Sequence, residues 1–202
     1  MQFRMLFLLL LLNGASFHAF AQDKAELVDE QDTETQWLGL DFSHFKIKGE
    51  DVEPDKLREY MISWNTLVTD EEEKYDLERF FNKDEVENNI DPALKRIEKL
   101  DPEKRISESI SGEYEMEEKK VEQIAKAYKM EDPEDELGIL FVMEEFNKVK
   151  EYGSMYICFI ELSSGAILKK EHFKTNPGGI GFRNFWARTY FNAMKEYQEG
   201  GD

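Results

Sequence analysis

The chain has 202 residues, with 26 lysines and arginines against 44 aspartates and glutamates, and a formal net charge of −18 at pH 7. An acidic surface of this kind repels nucleic-acid phosphates and anionic lipid headgroups, so nucleic acid is excluded as an expected partner. Cationic peptides, polyamines and divalent metals remain compatible with the charge. The length suits one domain with a substantial core, and the single cysteine, Cys158, excludes an intrachain disulfide.

The N-terminus has the layout of a secretory signal peptide. Arg4 precedes an apolar run from Met5 to Leu12, and small residues at A-x-A spacing follow at Ala19 and Ala21. We expect cleavage after Ala21, so that the mature protein starts at Gln22 and is periplasmic or secreted. The apolar run is shorter than the roughly 20 residues of a membrane-spanning helix, so we expect no stable membrane insertion; a retained anchor is the alternative.

The start of the mature chain predicts a lead-in, a strand and a helix. Residues 22–35 are polar and acidic, which is typical of a flexible segment. Alternating apolar residues in "TQWLGLDFSHFKIKG" predict a first strand with a bend near Ser43. Pro54 then opens a helix whose apolar residues recur every three or four positions.

The next part of the chain is harder to interpret. Thr69 and Glu72 have the spacing of a capping box, which leaves open whether a second helix starts there or the first continues. Residues 82–112 are polar, contain Pro92 and Pro102, and show only weak periodicity. We therefore assign no secondary structure to them.

The C-terminal half gives the clearest patterns. "YEMEEKKVEQIAKAYKM" predicts a helix, "LGILFVMEEF" a strand buried on both faces, and "MYICFIELSSGAILKKEHF" a hairpin with its tip at Ser163–Gly165. A last amphipathic helix follows. The order predicts an α/β (α+β) fold over residues 36–202, with helices packed on a single mixed sheet of four to five strands. The tryptophans and the cysteine lie in apolar patterns and are expected in the core: Trp37, Trp64, Trp186 and Cys158.

The feature most like a binding site is the glycine-rich turn before the last helix, "NPGGIGFRN". Backbone N–H groups at a helix start attract anions, glycines allow close approach of a ligand, and Arg183 adds a charged donor. The spacings of dinucleotide and nucleotide-phosphate loops are absent. The alternative is architectural: the glycines supply positive φ angles for a tight crossing. The expected binding residues lie in this turn and at the polar end of the first strand: Asp41, Ser43, Gly178, Gly179, Gly181, Arg183 and Asn184.

No catalytic residue, metal ligand or cofactor is predicted. His44 and His172 are isolated in sequence, and no serine lies in a nucleophile-elbow pattern. The acidic residues 131–136 are compatible with loose calcium binding, but they lack the spacing of an EF-hand loop.

The segments "WLGLDFSHFKIKG", "SWNTLVTDEEEKYDL" and "GGIGFRNFWA" resemble a family of exported, uncharacterised bacterial proteins of Bacteroidetes type. The matching positions lie in the opening strand, the first helix with the turn that follows it, and the start of the last helix: Trp37, Gly39, Asp41, Trp64, Asn65, Lys74, Tyr75, Gly179, Gly181, Arg183, Asn184 and Trp186. The resemblance covers most of the mature chain and implies no activity.

The order of elements is also similar to small periplasmic α/β modules, such as the N-terminal domain of the Tol-system propeller protein and the periplasmic domain of the curli secretion lipoprotein. Those modules bind protein partners and are not enzymes, although a shared fold is weak evidence for function. No cysteine lies near residue 22, where the mature chain is expected to start, so the lipid anchor of the lipoprotein members is not available.

We therefore expect an exported, non-enzymatic binding or envelope-assembly module, with an envelope protein as partner and its working surface at Gly178–Trp186. One alternative is a protein that binds a small anionic ligand at the helix N-terminus, Gly181–Asn184. A second is an unrecognised hydrolase. The sequence does not predict the oligomeric state.

Overall fold

The computed structural model describes residue 24 and residues 26–109 and 111–200; the predicted signal peptide, residues 1–21, lies outside them. The strands are β1 (Thr35–Asp41), β2 (Lys46–Lys48), β3 (Val86–Asn88), β4 (Ile106–Ser107), β5 (Leu137–Asn147), β6 (Tyr152–Glu161) and β7 (Ala166–Thr175). The helices are α1 (Pro54–Asp70), α2 (Leu77–Phe81), α3 (Asp91–Lys99), α4 (Glu118–Lys126) and α5 (Phe182–Gly200), with a 3-10 turn at Glu103–Arg105.

All seven strands form one mixed sheet. β1 and β2 follow one another along one edge of β5, both parallel to it, while β6 runs antiparallel along the other edge and β7 antiparallel to β6. β3 and β4 extend the sheet beyond β1 and β2 as short parallel strands. The α/β fold with a mixed sheet is confirmed, but the prediction of four to five strands is wrong. The first predicted strand is interrupted at residues 42–45, and β3 and β4 are too short to show a pattern.

The sheet separates two hydrophobic cores. The first core contains apolar residues of α1, α2 and α5, and the second core contains those of α4. Side chains of β5 alternate between them: Phe141 and Met143 belong to the first core, and Leu140 and Val142 to the second. β5 is therefore buried on both faces, as its continuous apolar sequence predicts.

β1 is also buried on both faces, which its predicted alternation did not anticipate. The pairing register between β1 and β5 shifts between Trp37 and Gly39, and Gly39 has a φ of +88°. This bulge turns Leu38 into the second core and Leu40 into the first. Asn65 of α1 secures it, because its Oδ1 accepts from the N–H of Leu40 at 2.7 Å and its Nδ2 donates to the Leu40 carbonyl at 3.1 Å.

The helix predicted from Pro54 is confirmed as α1, and of the two alternatives left open at Thr69 the structure has the longer helix: α1 continues through Thr69, and no second helix starts there. The hydroxyl of Thr69 donates to the carbonyl of Thr66 at 3.0 Å, within α1, and α1 ends at Asp70. The next helix starts later, where the Asp76 side chain accepts from the N–H of Arg79 at 3.0 Å and caps α2. The side-chain cap at Asp76 therefore marks the start of α2.

The remaining predicted elements are present, although the helix predicted over residues 114–130 is shorter, since α4 spans Glu118–Lys126. The turn at residues 162–165 joins β6 to β7 as the predicted hairpin. All three tryptophans are fully buried, and Cys158 lies in the second core, where burial raises its thiol pKa to about 12. A thiol in this environment stays protonated and packs as a small apolar group.

The described residues of the predicted lead-in pack on the domain. Residues 26–29 are helical, and Val28 belongs to the first core. The ammonium group of Lys83 donates to the carbonyls of Leu27 and Glu30. Within the described ranges, no helix has the length and apolarity that crossing a membrane requires.

Candidate functional site

The predicted glycine-rich turn presents an isoleucine to solvent. Gly179 and Gly181 have φ angles of +109° and +82°, and Ile180 between them is 93% exposed. The turn is closed by its own backbone, because Gly178 donates to the Phe185 carbonyl at 2.9 Å and Phe185 donates to the Gly181 carbonyl at 2.9 Å. Both positive φ angles are ones that glycine adopts easily.

The helix start behind this turn is attached to the first core through two tryptophans. The indole N–H of Trp64 donates to the carbonyl of Arg183 at 2.9 Å. Trp186 stacks on Phe146 with ring centroids 4.7 Å apart and donates to Glu50 at 3.1 Å. The motif positions in α1 and at the start of α5 thus meet, and these contacts fix the position of the turn.

The side chains of Arg183 and Asn184 lie at the surface of the turn. Arg183 is half-buried and Asn184 exposed, and Arg183 Nε donates weakly to Asn184 Oδ1 at 3.3 Å. The adjacent turn between β5 and β6 also contacts this region, since Lys148 Nζ lies 3.7 Å from the Phe185 ring centroid. Val149 in that turn is 58% exposed.

Val149 and Ile180 are the exposed large hydrophobic residues in the described part of the chain. We call Val149, Ile180 and the half-buried Phe185 the apolar tip. Lys148 Nζ contacts the Phe185 ring, and Arg183 and Asn184 follow Ile180 in the same turn.

The other predicted site residues, Asp41 and Ser43, belong to a buried polar network at the end of β1. Asp41 Oδ2 accepts from Arg96 Nε at 2.6 Å and from the Tyr128 hydroxyl at 2.9 Å, while Oδ1 accepts from the Ser43 N–H at 2.8 Å. Arg96 Nη2 donates to Ser43 Oγ at 2.7 Å, and Arg105 Nη1 donates to the Ser43 carbonyl. The Asp41 carboxylate is thus satisfied within the protein.

Several cations surround this network. Burial lowers the pKa of His44, and Arg105, Lys120 and Arg96 lower it further, while Asp41 acts in the opposite direction. Burial also lowers the pKa of Arg105, although Tyr114, Asp101 and Asp41 oppose this. The region is therefore electropositive in a strongly acidic protein.

The two parts of the predicted site do not come together. Asp41 contacts Tyr128 of the second core, whereas Arg183 contacts Trp64 of the first core. Among the described residues, no hydrogen bond or ion pair joins Asp41 or Ser43 to the Gly178–Trp186 turn. The buried network of Asp41 and the exposed turn therefore share no polar contact within the described chain.

Sequence reasoning missed Arg96, Arg105 and the pair of Glu144 and His172. Glu144 Oε2 lies 2.7 Å from His172 Nε2, and Glu144 Oε1 accepts from the Met116 N–H at 2.7 Å. Both arginines lie in the segment without readable periodicity, and the partners of Glu144 are distant in sequence. No spacing in the chain signals either cluster.

An acidic cavity of about 420 Å³ lies at the opposite end of β1, where β3 and β5 also begin. Its lining includes seven carboxylates: Asp32, Glu34, Asp84, Glu85, Glu87, Glu134 and Asp135. Across the described ranges, no group of three or more histidine, cysteine or acidic side chains converges closely enough to hold a metal ion. His44 and His172, moreover, belong to separate networks.

The functional argument rests on this geometry. No protein-family model and no curated protein matches the chain.

Proposed function

We propose that the protein is an exported, non-enzymatic module that binds a protein of the cell envelope through the apolar tip. The observation that carries this proposal is the 93% exposure of Ile180 on a turn that two positive-φ glycines shape. A single exposed hydrophobic residue is ordinary on a protein surface. Here a second one, Val149, lies in the adjacent turn between β5 and β6, which contacts Phe185 through Lys148.

This composition suits the centre of a protein interface. Interfaces combine an apolar centre with a polar rim and are enriched in arginine. The apolar tip has Lys148 and Arg183 at its rim. Its position is fixed by the bond from Trp64 to the Arg183 carbonyl and by the stacking of Trp186 on Phe146. A rigid tip loses little conformational entropy when it binds, which favours affinity.

Export is the sequence-based part of the proposal. The N-terminal residues with the layout of a signal peptide would direct the protein to the periplasm or outside the cell. The acidic surface favours solubility there and disfavours contact with anionic lipid.

Site-specific photo-crosslinking in cells tests the proposal. A photoreactive residue replaces Ile180 in one strain and the exposed Glu199, at the far end of α5, in another. We expect a discrete covalent adduct from position 180 and none from position 199. The same adducts from both positions, or none from position 180, would contradict the proposal.

Capture from envelope extract gives an independent readout. We expect Arg183→Ala/Asn184→Ala to weaken partner capture while the melting temperature stays nearly unchanged, because both side chains lie at the surface. A large loss of stability would show that these residues are structural.

Binding of a small anion at the N-terminus of α5 is the second candidate. Arg183 and Asn184 on the first turn favour it, since both present donors near the start of the helix. A thermal shift with anionic metabolites that disappears in Arg183→Ala would support this candidate over protein binding.

A further inference from the structure

We infer that the protein binds a small oxyanion, with the charge and shape of a phosphate group, at a cluster of half-buried cations beside the interruption between β1 and β2. The charged members of this cationic cluster come from β2, α3, α4 and the 3-10 turn before β4: Lys46, Arg96, Arg105 and Lys120. His44, whose pKa is lowered by burial and by the neighbouring cations, lies among them. The inference is independent of the apolar tip and of the proposed function.

The interruption of the first strand creates the position. Phe42 and Phe45 both pack in the first core, and the N–H of Phe45 donates to the Phe42 carbonyl at 3.2 Å. This tight turn leaves Ser43 and His44 half-buried at the carboxyl end of β1.

The interruption lies beside the middle of β5. β1 ends with Asp41 opposite Val142, and β2 begins with Lys46 opposite Glu145, so both strands follow the same edge of β5. The cationic cluster lies at this gap, where Arg96 and Arg105 donate to Ser43.

The protein compensates the charge of the cluster only in part, because Asp41 pairs with Arg96 and leaves two other cations without an ion-pair partner among the residues that the structure describes. Arg105 makes a bond to the Ser43 carbonyl, but its Nε is buried and has no hydrogen-bond partner among the described residues. Lys46 Nζ donates to a backbone carbonyl, that of Lys104, at 2.6 Å. In the part of the chain that the structure describes, neither side chain forms an ion pair with a carboxylate. This is unexpected in a chain with 44 acidic residues.

Unpaired half-buried cations are unfavourable unless an anion accompanies them. A phosphate group offers several acceptor oxygens and matches the donor geometry of an arginine guanidinium. Lys120 belongs to the first turn of α4, so the positive end of that helix dipole adds to the same field.

Arg96 is a positioning residue of this cluster. Its Nε and Nη2 are fixed by Asp41 and Ser43, and its guanidinium carbon lies 5.4 Å from the Tyr128 ring centroid. The side chain remains 30% exposed. The buried Asp41 thus orients one cation and leaves the charges of Arg105, Lys46 and Lys120 free to act on a ligand.

His44 gives a direct spectroscopic readout. The charged groups that influence it are Arg105, Lys120 and Arg96, which together with burial lower its pKa, and Asp41, which raises it. A bound oxyanion should raise the pKa of His44, because negative charge favours the imidazolium form. His172 lies in a different network and serves as an internal reference.

The experiment is an NMR titration of the imidazole C–H signals in the purified protein, with inorganic phosphate or with chloride at matched ionic strength. We expect phosphate, but not chloride, to raise the pKa of His44, while the imidazole signals of His172 do not respond to phosphate. No change at His44, or equal changes at both histidines, would overturn the inference. A parallel titration with glycerol phosphate compares the two possible ligands. Tighter binding of glycerol phosphate than of inorganic phosphate would indicate a phosphorylated organic ligand, and the reverse order would indicate free phosphate.

Variants identify the cluster as the site. Arg105→Gln and Lys46→Gln should each weaken phosphate binding, measured by calorimetry, about tenfold or more, since each removes a charged hydrogen bond. Lys195→Gln removes one positive charge at an exposed position of α5 and should leave binding unchanged. Arg105→Gln should also raise the pKa of His44 without phosphate, which shows that this variant keeps its local fold. Equal weakening by Lys195→Gln would mean general screening and would refute the site.

Discussion

Asp41 shows at the residue scale how a charged side chain becomes part of the structure. It is fully buried at the carboxyl end of β1 and contacts Arg96, Tyr128 and the backbone of Ser43. A buried carboxylate is tolerated only when it is paired and hydrogen-bonded. The contacts join β1 to α3 and to Tyr128, which lies two residues after the end of α4. The network therefore connects three parts of the fold.

Replacing Asp41 by Asn should therefore destabilise the protein. We expect a loss of about 2–3 kcal/mol in the free energy of unfolding, because Arg96 would lose its counterion in a half-buried position. Tyr128→Phe, which removes one hydrogen bond, should cost about 1 kcal/mol. Urea denaturation measures both, with the exposed Asp51→Asn as the control. Equal effects of Asp41→Asn and Asp51→Asn would contradict a structural role for Asp41.

Two glycines show the difference between a buried position that the fold requires and an open position at the surface. A Cβ at Gly39 would lie 2.3 Å from Asn65 Oδ1, in the pair that secures the β1 bulge, whereas a Cβ at Gly181 would meet no atom within 4 Å. Gly39→Ala should cost about 3 kcal/mol or more, from backbone strain plus the displaced hydrogen bonds. Gly181→Ala should cost only about 1–2 kcal/mol of backbone strain. Thermal unfolding measures the order, and an equal or reversed order would disprove this interpretation.

At the scale of elements, the face of the sheet that packs in the second core is covered by two different structures. α4 covers its apolar part, and residues 111–117, which we call the strap, cross its polar part. Glu113 in the strap pairs with Lys150 and Lys174 at 2.7 Å each, and Met116 donates to Glu144. Met116 also packs in the second core, so the strap combines apolar contacts with polar contacts that depend on pH.

Acid should loosen the strap at Met116 first. Burial alone would raise the pKa of Glu144, but hydrogen bonds from His172, the Met116 N–H and Ser154 outweigh it and hold the pKa below its ordinary value of 4.5. A lowered folded pKa means that this stabilisation is present above pH 4.5 and is lost as pH falls through the lowered value. Hydrogen bonds from Lys150 and Lys174 lower the pKa of Glu113 to about 2, so its contacts persist further into acid.

Hydrogen exchange measures this loosening. The protection factor of the Met116 amide should fall as pH drops below about 4.5, while the amides of β5 keep theirs. Glu144→Gln should lower the protection of Met116 at neutral pH. If Met116 and the β5 amides lose protection together, the strap opens only with the whole domain and the prediction is wrong.

The elements also show what a sequence can and cannot predict. Long segments with strong periodicity, such as β5 and α5, were predicted because their own side chains define the buried faces. β3 and β4 are three and two residues long, and they exist because β1 and β2 offer them backbone partners. The segment containing them also carries Arg96 and Arg105. The cationic cluster was therefore not predictable, although the polar end of β1 was noticed.

The charge of the whole molecule is unevenly distributed. The cavity at the start of β1 is lined by seven carboxylates and by no lysine or arginine, whereas the cationic cluster lies at the other end of the same strand. Self-repulsion among like charges destabilises a compact state. Neutralising carboxylates of the acidic cavity at the start of β1 should therefore stabilise the protein more than neutralising carboxylates elsewhere.

Glu85→Gln/Glu134→Gln tests this distribution, because both side chains are exposed and line the acidic cavity. At low salt we expect the melting temperature to rise by about 1–2 °C, since relief of about 0.5 kcal/mol corresponds to such a shift in a domain of this size. Near 1 M NaCl the difference should vanish, because the Debye length falls to about 3 Å. The matched control, Glu196→Gln/Glu199→Gln, removes the same charge from exposed positions of α5 and should change the melting temperature less. Equal shifts for the two double variants would mean that repulsion is spread over the whole surface and is not concentrated at the start of β1.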